Sequence, residues 1–272
     1  MKTNLNLLLF SLLSFGVLIS CKNNNSSTNT GNTTLTDASS SPNNTVKALL
    51  TFSVKEFKAE KKKQTANYSV EIAAGNSPEA NFVNQTIFQA MGGSDENVKK
   101  ANYNYQEMAD NFVKDAAEMK DSDEDSGGDW STESTASVGY VSTNFVSLSV
   151  SGWEYSGGAH GNPFSSVYNL DLQLLKVITN NDLISDELGL RKLVTTLLSK
   201  ELKKENMLDN VDIENMQENG LYKLSENIKI SKDKVVFEYY SRDLFGGGSN
   251  DATSVSVELT FNQAQPFLKV KL

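Results

Sequence analysis

The sequence predicts an α+β fold in which a mainly antiparallel sheet packs with a few amphipathic helices, in two subdomains. Strand periodicity is clearest near the end of the chain, where Val255, Val257 and Leu259 alternate with polar residues. Helical periodicity is clearest over 186–205, where leucines recur every three or four residues and form one apolar face. Together the two patterns predict a mixed fold.

The first predicted subdomain, residues 46–120, begins with two strands over 49–54 and 68–72, joined through an exposed turn at the lysines 61–63. A helix begins at Ser77-Pro78-Glu79, because serine caps a helix, proline suits its first position and an acid suits its first turn. Gly92-Gly93 ends that helix. A second helix is predicted over 95–119, and we interpret its apolar stripe as core.

The second predicted subdomain, residues 130–272, is rich in strands and carries the helix over 186–205. Its predicted strands share short, alternating apolar runs: residues 137–141, 144–150, 164–172, 227–230, 234–240 and 254–261. The pair over 227–240 is predicted to form a hairpin.

A glycine-rich loop lies between two of these strands and surrounds His160, the only histidine of the chain. Gly157, Gly158 and Gly161 crowd around it. Glycine serves where the backbone needs a positive φ or where other atoms approach closely. The segment therefore predicts a strand, a tight loop and a second strand.

This loop carries a resemblance to a known family. The string Tyr155-x-Gly157-Gly158-Ala159-His160-Gly161-Asn162 and the strand that follows it, 168–172, resemble the RsiV-type extracytoplasmic domain of a lysozyme-sensing anti-sigma factor. That domain also occurs beside cell-wall polysaccharide deacetylases and in lipoproteins of unknown function. A helix with the family's N-x-x-I pattern is present at Asn84-Gln85-Thr86-Ile87, and the resemblance spans about residues 65–270.

The resemblance implies a binding or sensing module whose partner is a lysozyme-type protein or a cell-wall glycan. We expect no cofactor and no enzymatic activity, because zinc hydrolases need several histidines or cysteines and this chain has one of each. The alternative is an envelope hydrolase that acts on cell-wall polysaccharide with His160 and nearby carboxylates, with Ser156 or Ser165 as neighbouring hydroxyls.

The candidate contact residues all lie in or beside the glycine loop: Trp153, Tyr155, Gly157, Gly158, His160, Gly161 and Asn162. His160 either orients the loop through a hydrogen bond to a backbone carbonyl or contacts a ligand. The exposure of Trp153 separates two interpretations, since an exposed aromatic favours binding and a buried one favours a scaffold.

The N-terminus predicts a lipid anchor. Residues 1–20 have the basic start and short apolar run of a signal peptide, and Leu18-Ile19-Ser20-Cys21 has the form of a bacterial lipobox. We predict that Cys21, the only cysteine, carries the lipid. Residues 21–45 are mostly Ser, Thr and Asn, which predicts a disordered tether that holds the protein in the cell envelope outside the cytoplasm, periplasm-facing or at the cell surface.

The formal net charge of −9 disfavours nucleic acid as a partner and is compatible with a cationic protein. Acidic residues concentrate in the predicted loop 121–129 between the two subdomains. Asp121, Asp123 and Asp125 have the spacing of the first calcium-loop ligands, but Ser126 replaces the glycine at position six. We interpret the segment as a solvated loop and its aspartates as a weak calcium candidate.

Overall fold

The computed structural model describes residues 49–122, 129–157, 160–207, 216–240, 244 and 254–270, without the side chains of 120–122. The described residues all fall within one compact unit, Val46–Leu272. Cys21, the tether 21–45, Asp123, Asp125 and Gly158 therefore lie outside the described residues.

A six-stranded sheet runs through this unit in the order in which its strands occur in the chain. Its strands are β1 (Phe52–Lys61), β2 (Gln64–Ala73), β3 (Ser131–Val141), β4 (Phe145–Tyr155), β5 (Asn162–Asp171) and β6 (Lys176–Ile178). Neighbouring strands pair antiparallel except β2 and β3, which are parallel. The sheet thus joins the two predicted subdomains through the β2–β3 pair.

Three helices form the connection from β2 to β3: α1 (Pro78–Ala90), α2 (Asp95–Lys99) and α3 (Tyr105–Ser122). Helices α1 and α3 cover one side of the sheet, here called the helix face. On that face Val146, Leu148 and Val150 of β4 share a buried apolar cluster with Val83 of α1 and Val113 of α3.

The following elements are α4 (Asn180–Leu183), α5 (Glu187–Lys204), β7 (Gln217–Glu218), β8 (Leu221–Tyr222), β9 (Asn227–Ile230), β10 (Lys234–Tyr240), β11 (Ser254–Thr260) and α6 (Phe261–Ala264). Strands β9, β10 and β11 form a second, antiparallel sheet with β10 in the centre. Leu190, Val194 and Leu198 of α5 pack with Val257 and Leu259 of β11 in a second apolar core.

The second sheet contacts the other side of the six-stranded sheet, here called the second-sheet face, through polar side chains. Ser147 Oγ of β4 accepts a hydrogen bond from Ile230 N of β9 at 3.0 Å. Asn169 Nδ2 of β5 donates to Ile228 O at 2.8 Å. Both side chains are buried, so they satisfy backbone groups at the edge of β9 that water does not reach.

Asn84, from the N-x-x-I helix, has a clear structural role. Strand β2 continues past its last pair with β3, Val70 with Ala136, and therefore lacks a strand neighbour on that side at Ala73. Asn84 supplies the missing partner: its Oδ1 accepts from Ala73 N at 2.9 Å and its Nδ2 donates to Ala73 O at 3.0 Å. The side-chain amide thus continues the ladder for one residue.

The α+β fold, its mainly antiparallel sheet, the cap at Ser77 and the 227–240 hairpin are as predicted. The single helix predicted over 95–119 is wrong: Ala101 has a φ of 50°, which ends α2 and bends the chain before α3. Helix α3 runs through Asp121 and Ser122, so the first two residues of the predicted acidic loop are helical. Phe261 begins α6 rather than ending β11, because Thr260 and Gln263 form a capping box.

Candidate binding surface on the β4–β5 hairpin

The glycine loop lies at the end of a long hairpin formed by β4 and β5. The ladder runs from the pair Phe145–Asp171 to the pair Glu154–Asn162 without a shift in register. Residues of β4 are buried up to Val150 and become accessible from Ser151 onward. The outer end of the hairpin therefore projects beyond the apolar cores, which makes its side chains available for contact.

Strand alternation divides the aromatic residues around the loop between the two faces. Trp153 and Tyr155 follow Ser147 at even spacing and lie on the second-sheet face. Phe164 pairs with Gly152 and lies on the helix face, as do Glu154 and Asn162. The structure thus brings Trp153 and Tyr155 together and separates both from Phe164.

Trp153 and Tyr155 stack on each other and form an aromatic pair, here called the aromatic shelf. Their rings are nearly parallel, at 9°, with centroids 6.0 Å apart. Trp153 remains 40% exposed, whereas Tyr155 is half-buried. Since an exposed aromatic side chain at this position favours binding and a buried one favours a scaffold, the exposure of Trp153 favours the binding interpretation.

Two glycines of the loop have different physical roles. Gly157 has a φ of 98°, a backbone conformation that residues with a Cβ rarely adopt. Gly161 lies against the Trp153 ring, and a Cβ placed there would be 2.1 Å from its Cε2 atom. Gly161 therefore lets the indole lie close to the loop backbone.

Gly152 was not singled out in the sequence analysis, yet it is packed as tightly as Gly161. A Cβ at this position would lie 2.4 Å from the carbonyl oxygen of Glu133 and 2.7 Å from Phe164 Cζ. The Phe164 ring therefore covers Gly152 across the ladder, in the cross-strand arrangement by which aromatics compensate for glycine in sheets.

His160 and Asn162 are both exposed. Among the described residues, no hydrogen-bond partner of the His160 side chain is found, and its role in orienting the loop or contacting a ligand stays a prediction. Ser156 is exposed as well, whereas Ser165 is half-buried and engaged elsewhere.

Ser165 takes part in a hydroxyl–carboxylate network that the sequence analysis did not find. Tyr240 Oη, at the end of β10, lies 2.7 Å from Ser165 Oγ and 2.6 Å from Glu238 Oε2. Ser165 pairs with Ser151, two residues before Trp153, and therefore lies on the same face as the aromatic shelf. All three network residues are half-buried.

The helix face of the hairpin carries the carboxylate of Glu154. Burial raises the pKa of Tyr68 in β2 to about 12, and the Glu154 carboxylate contributes to the same shift. A negative charge near the phenol opposes its ionisation. Glu154 therefore acts toward the helix face, away from the aromatic shelf.

The described residues supply no set of metal ligands to the weak calcium candidate at Asp121, Asp123 and Asp125. Within the described ranges no group of three His, Cys, Asp or Glu side chains could hold a metal ion. Asp121 lies in the last turn of α3, whereas Asp123 and Asp125 lie outside the described residues.

Among the described residues, no helix combines the length and apolar character that crossing a bilayer requires. The predicted lipid attachment at Cys21 falls outside this part of the chain.

Comparisons with known proteins agree on the kind of domain. Residues 60–163 match the family model described as Deacetylase PdaC. A solved DUF3298-family protein from Bacteroides fragilis is similar with a TM-score of 0.55 and 18% identity, covering 82% of this chain and 94% of that one. A DUF3298-family protein from Pseudomonas aeruginosa gives a TM-score of 0.52 and 13% identity over the same shares of the two chains. The search of curated proteins found no match.

The matched range ends at Pro163, directly after the glycine loop, and so contains the string on which the resemblance was based. The two solved structures extend the agreement in fold to most of the chain. The resemblance inferred from the sequence is confirmed to this extent: residues 60–163 match the PdaC family model, and the chain is similar in fold to two DUF3298-family proteins.

Proposed function

We propose that this protein is a lipid-anchored, non-enzymatic binding or sensing module of the bacterial cell envelope. Its contact surface is the aromatic shelf at the outer end of the β4–β5 hairpin, and its partner is a lysozyme-type protein or a cell-wall glycan. The observation that carries the proposal is the exposed Trp153 ring, held parallel to Tyr155.

Leaving a tryptophan partly in water forgoes apolar burial, so a partner that covers it gains binding free energy. Tryptophan and tyrosine are also the residues most enriched among those that dominate binding interfaces. In this hairpin the indole is held between the backbone at Gly161 and the stacked Tyr155 ring. A ring that is already oriented loses little conformational entropy on binding, which favours recognition further.

The N-terminal sequence supports the proposed location. A lipid on Cys21 followed by the tether 21–45 would hold the folded unit outside the cytoplasm while leaving the hairpin free to meet a partner. A flexible chain of this length has a root-mean-square reach of about 25–30 Å. The net charge of −9 complements a cationic protein such as a lysozyme.

The test is a binding measurement with the purified full chain, using a cationic lysozyme and solubilised cell-wall glycan as probes. Trp153→Ala is expected to weaken binding of the partner by about tenfold or more, in the range of an interface anchor. Phe164→Ala is the matched control, because Phe164 is 39% exposed but lies on the opposite face of the same hairpin. Equal losses in the two variants, or none in either, would refute the assignment of the surface.

The same preparation tests the hydrolase alternative. Wild-type protein is incubated with cell-wall polysaccharide and released fragments are measured. Release that disappears in His160→Asn, while that variant keeps its melting temperature, would replace the binding proposal with an enzymatic one.

A further inference from the structure

We infer that the aromatic shelf and the Ser165–Tyr240–Glu238 network form one site for a pyranose glycan without anionic groups. The inference rests on the proposed function and narrows its partner to a carbohydrate. It depends on a juxtaposition that arises only in the folded chain, since Tyr240 and Ser165 are 75 residues apart in sequence.

The two parts of the site lie on one face and one step apart. Trp153 pairs with Pro163 and Ser151 pairs with Ser165, so the shelf and the network begin on adjacent same-face positions of the ladder. Two residues along a strand correspond to about 7 Å. One sugar unit stacked on the indole therefore has its rim, or the next unit of the chain, beside the Tyr240 hydroxyl.

The chemistry of the two parts matches the two kinds of surface on a pyranose. The ring of the sugar presents C–H groups on its faces, and these pack on an aromatic plane. Its hydroxyl and amide groups lie around the rim and need hydrogen-bond donors and acceptors. The hydroxyls of Tyr240 and Ser165 can donate and accept, whereas a carboxylate only accepts.

The network is also held in place before a ligand arrives. Tyr240 Oη contacts both Ser165 Oγ and Glu238 Oε2, so its position is fixed between two strands of different sheets. All three side chains are half-buried, which reduces the competition from water. Hydrogen bonds made there are stronger than those of a fully exposed surface.

Charge sets the class of glycan. A carboxylate at Glu238, on a chain of net charge −9, repels uronic or sulfated sugars. Neutral N-acetylated sugars avoid that repulsion, and amino sugars gain attraction from it. The site therefore selects uncharged or cationic glycans over polyanionic ones.

The experiment is calorimetric titration of the purified full chain with chitotetraose, with polygalacturonate as the polyanionic comparison and a cationic lysozyme as the protein comparison. Chitotetraose is expected to bind, and polygalacturonate is expected to bind at least tenfold more weakly. Trp153→Ala is expected to lower the affinity for chitotetraose at least tenfold and Tyr240→Phe at least threefold. Glu238→Gln keeps the shape of the side chain but removes its charge. This variant should bind chitotetraose more weakly than wild type, and the difference in affinity between chitotetraose and polygalacturonate should become smaller. Phe164→Ala should stay within twofold of wild type.

The outcomes separate this inference from the proposed function. Lysozyme binding that depends on Trp153, without binding of chitotetraose, overturns the glycan site and leaves the binding module intact. Chitotetraose binding that depends on Trp153 but not on Tyr240 or Glu238 overturns the two-part site alone. Absence of both interactions overturns both. Melting temperatures are measured for every variant, and Ser165→Ala provides a second probe of the network if Tyr240→Phe fails to fold.

Discussion

The amide of Asn84 gives the sharpest test of how this fold is held together. Asn84→Ala removes the side chain that accepts from Ala73 N and donates to Ala73 O. Asn84 is only 8% exposed and Ala73 only 3%, so water does not replace the lost partner. The variant leaves a buried N–H and a buried C=O without hydrogen bonds at the end of β2.

The expected magnitude follows from these two groups. An orphaned buried backbone group costs about 1–3 kcal/mol, so the pair amounts to about 2–6 kcal/mol of unfolding free energy. For a domain of roughly 150–250 residues, each kcal/mol shifts the melting temperature by about 2–4 °C. Asn84→Ala is therefore expected to lower the melting temperature by about 4–24 °C.

The matched control is Asn81→Ala, one turn earlier in the same helix. Asn81 is exposed and its amide makes a single exposed hydrogen bond, to Asn76 O at 3.3 Å. An exposed substitution of this kind changes stability by about 0.5 kcal/mol or less. Thermal unfolding followed by circular dichroism compares both variants with wild type. Equal shifts in the two variants would show that Asn84 does not act through Ala73, and the account of β2 would be wrong.

Three further predictions concern the loop, a surface carboxylate and the anchor. Gly161→Ala places a methyl group against the indole of Trp153. The NMR resonance of the Trp153 indole N–H should therefore shift and partner binding should weaken, while the melting temperature stays within about 5 °C of wild type. An unchanged resonance would contradict the contact between Gly161 and Trp153. The hydrogen bond from Lys176 and those from Thr179 lower the pKa of Asp182 to about 2. The ionised Asp182 should therefore stabilise the fold fully above about pH 4, and this stabilisation should fade as the pH falls toward 2. Lys176→Met should raise the pH midpoint at which Asp182 titrates by NMR. Cys21→Ser should release the protein from membranes in a detergent-partition assay, and retention would contradict the lipid anchor.

Local chemistry made several parts of the fold predictable. Ser77-Pro78 begins α1 as expected, with Ala80 N donating to Ser77 Oγ at 3.2 Å. The apolar alternation of 255–259 gives three buried side chains in β11. In each case the residues that determine the structure are neighbours in the sequence, so their pattern is visible there.

Two features that the sequence analysis did not predict have a different origin. The break between α2 and α3 falls at Ala101, which adopts a left-handed conformation without the glycine or asparagine that normally marks one. The parallel pairing of β2 with β3 joins segments separated by three helices. The parallel pairing has no local signal, because a tertiary arrangement decides it. The start of α3 does have one, since Asn104 Oδ1 accepts a hydrogen bond from Glu107 N at 3.1 Å, as a helix-capping residue does.

The candidate site divides in the same way. The glycine string drew attention to Trp153, Tyr155 and Gly161, which the structure places in one contact. The sequence did not indicate Tyr240 and Glu238 as site residues, because strands that end in tyrosines are common. Only the contact between β10 and β5 brings Tyr240 to Ser165. Residue alternation in the sequence already indicates the opposite faces of Phe164 and Trp153, because Phe164 is in phase with the apolar Leu170 and Trp153 is out of phase with the apolar Val150.

The span of the family match decides which form of the protein can test the proposed binding surface. The matched range 60–163 contains the whole aromatic shelf but ends before Ser165, and it lacks Glu238 and Tyr240. It also stops after two residues of β5, although the rest of β5 pairs with β4 along its buried stretch and supplies Leu170 to the apolar cluster. A fragment cut at these limits would expose the edge of β4 and lose the whole Ser165–Tyr240–Glu238 network. Loss of binding in such a fragment would therefore report on folding, and only point variants of the full chain can separate the shelf from the network.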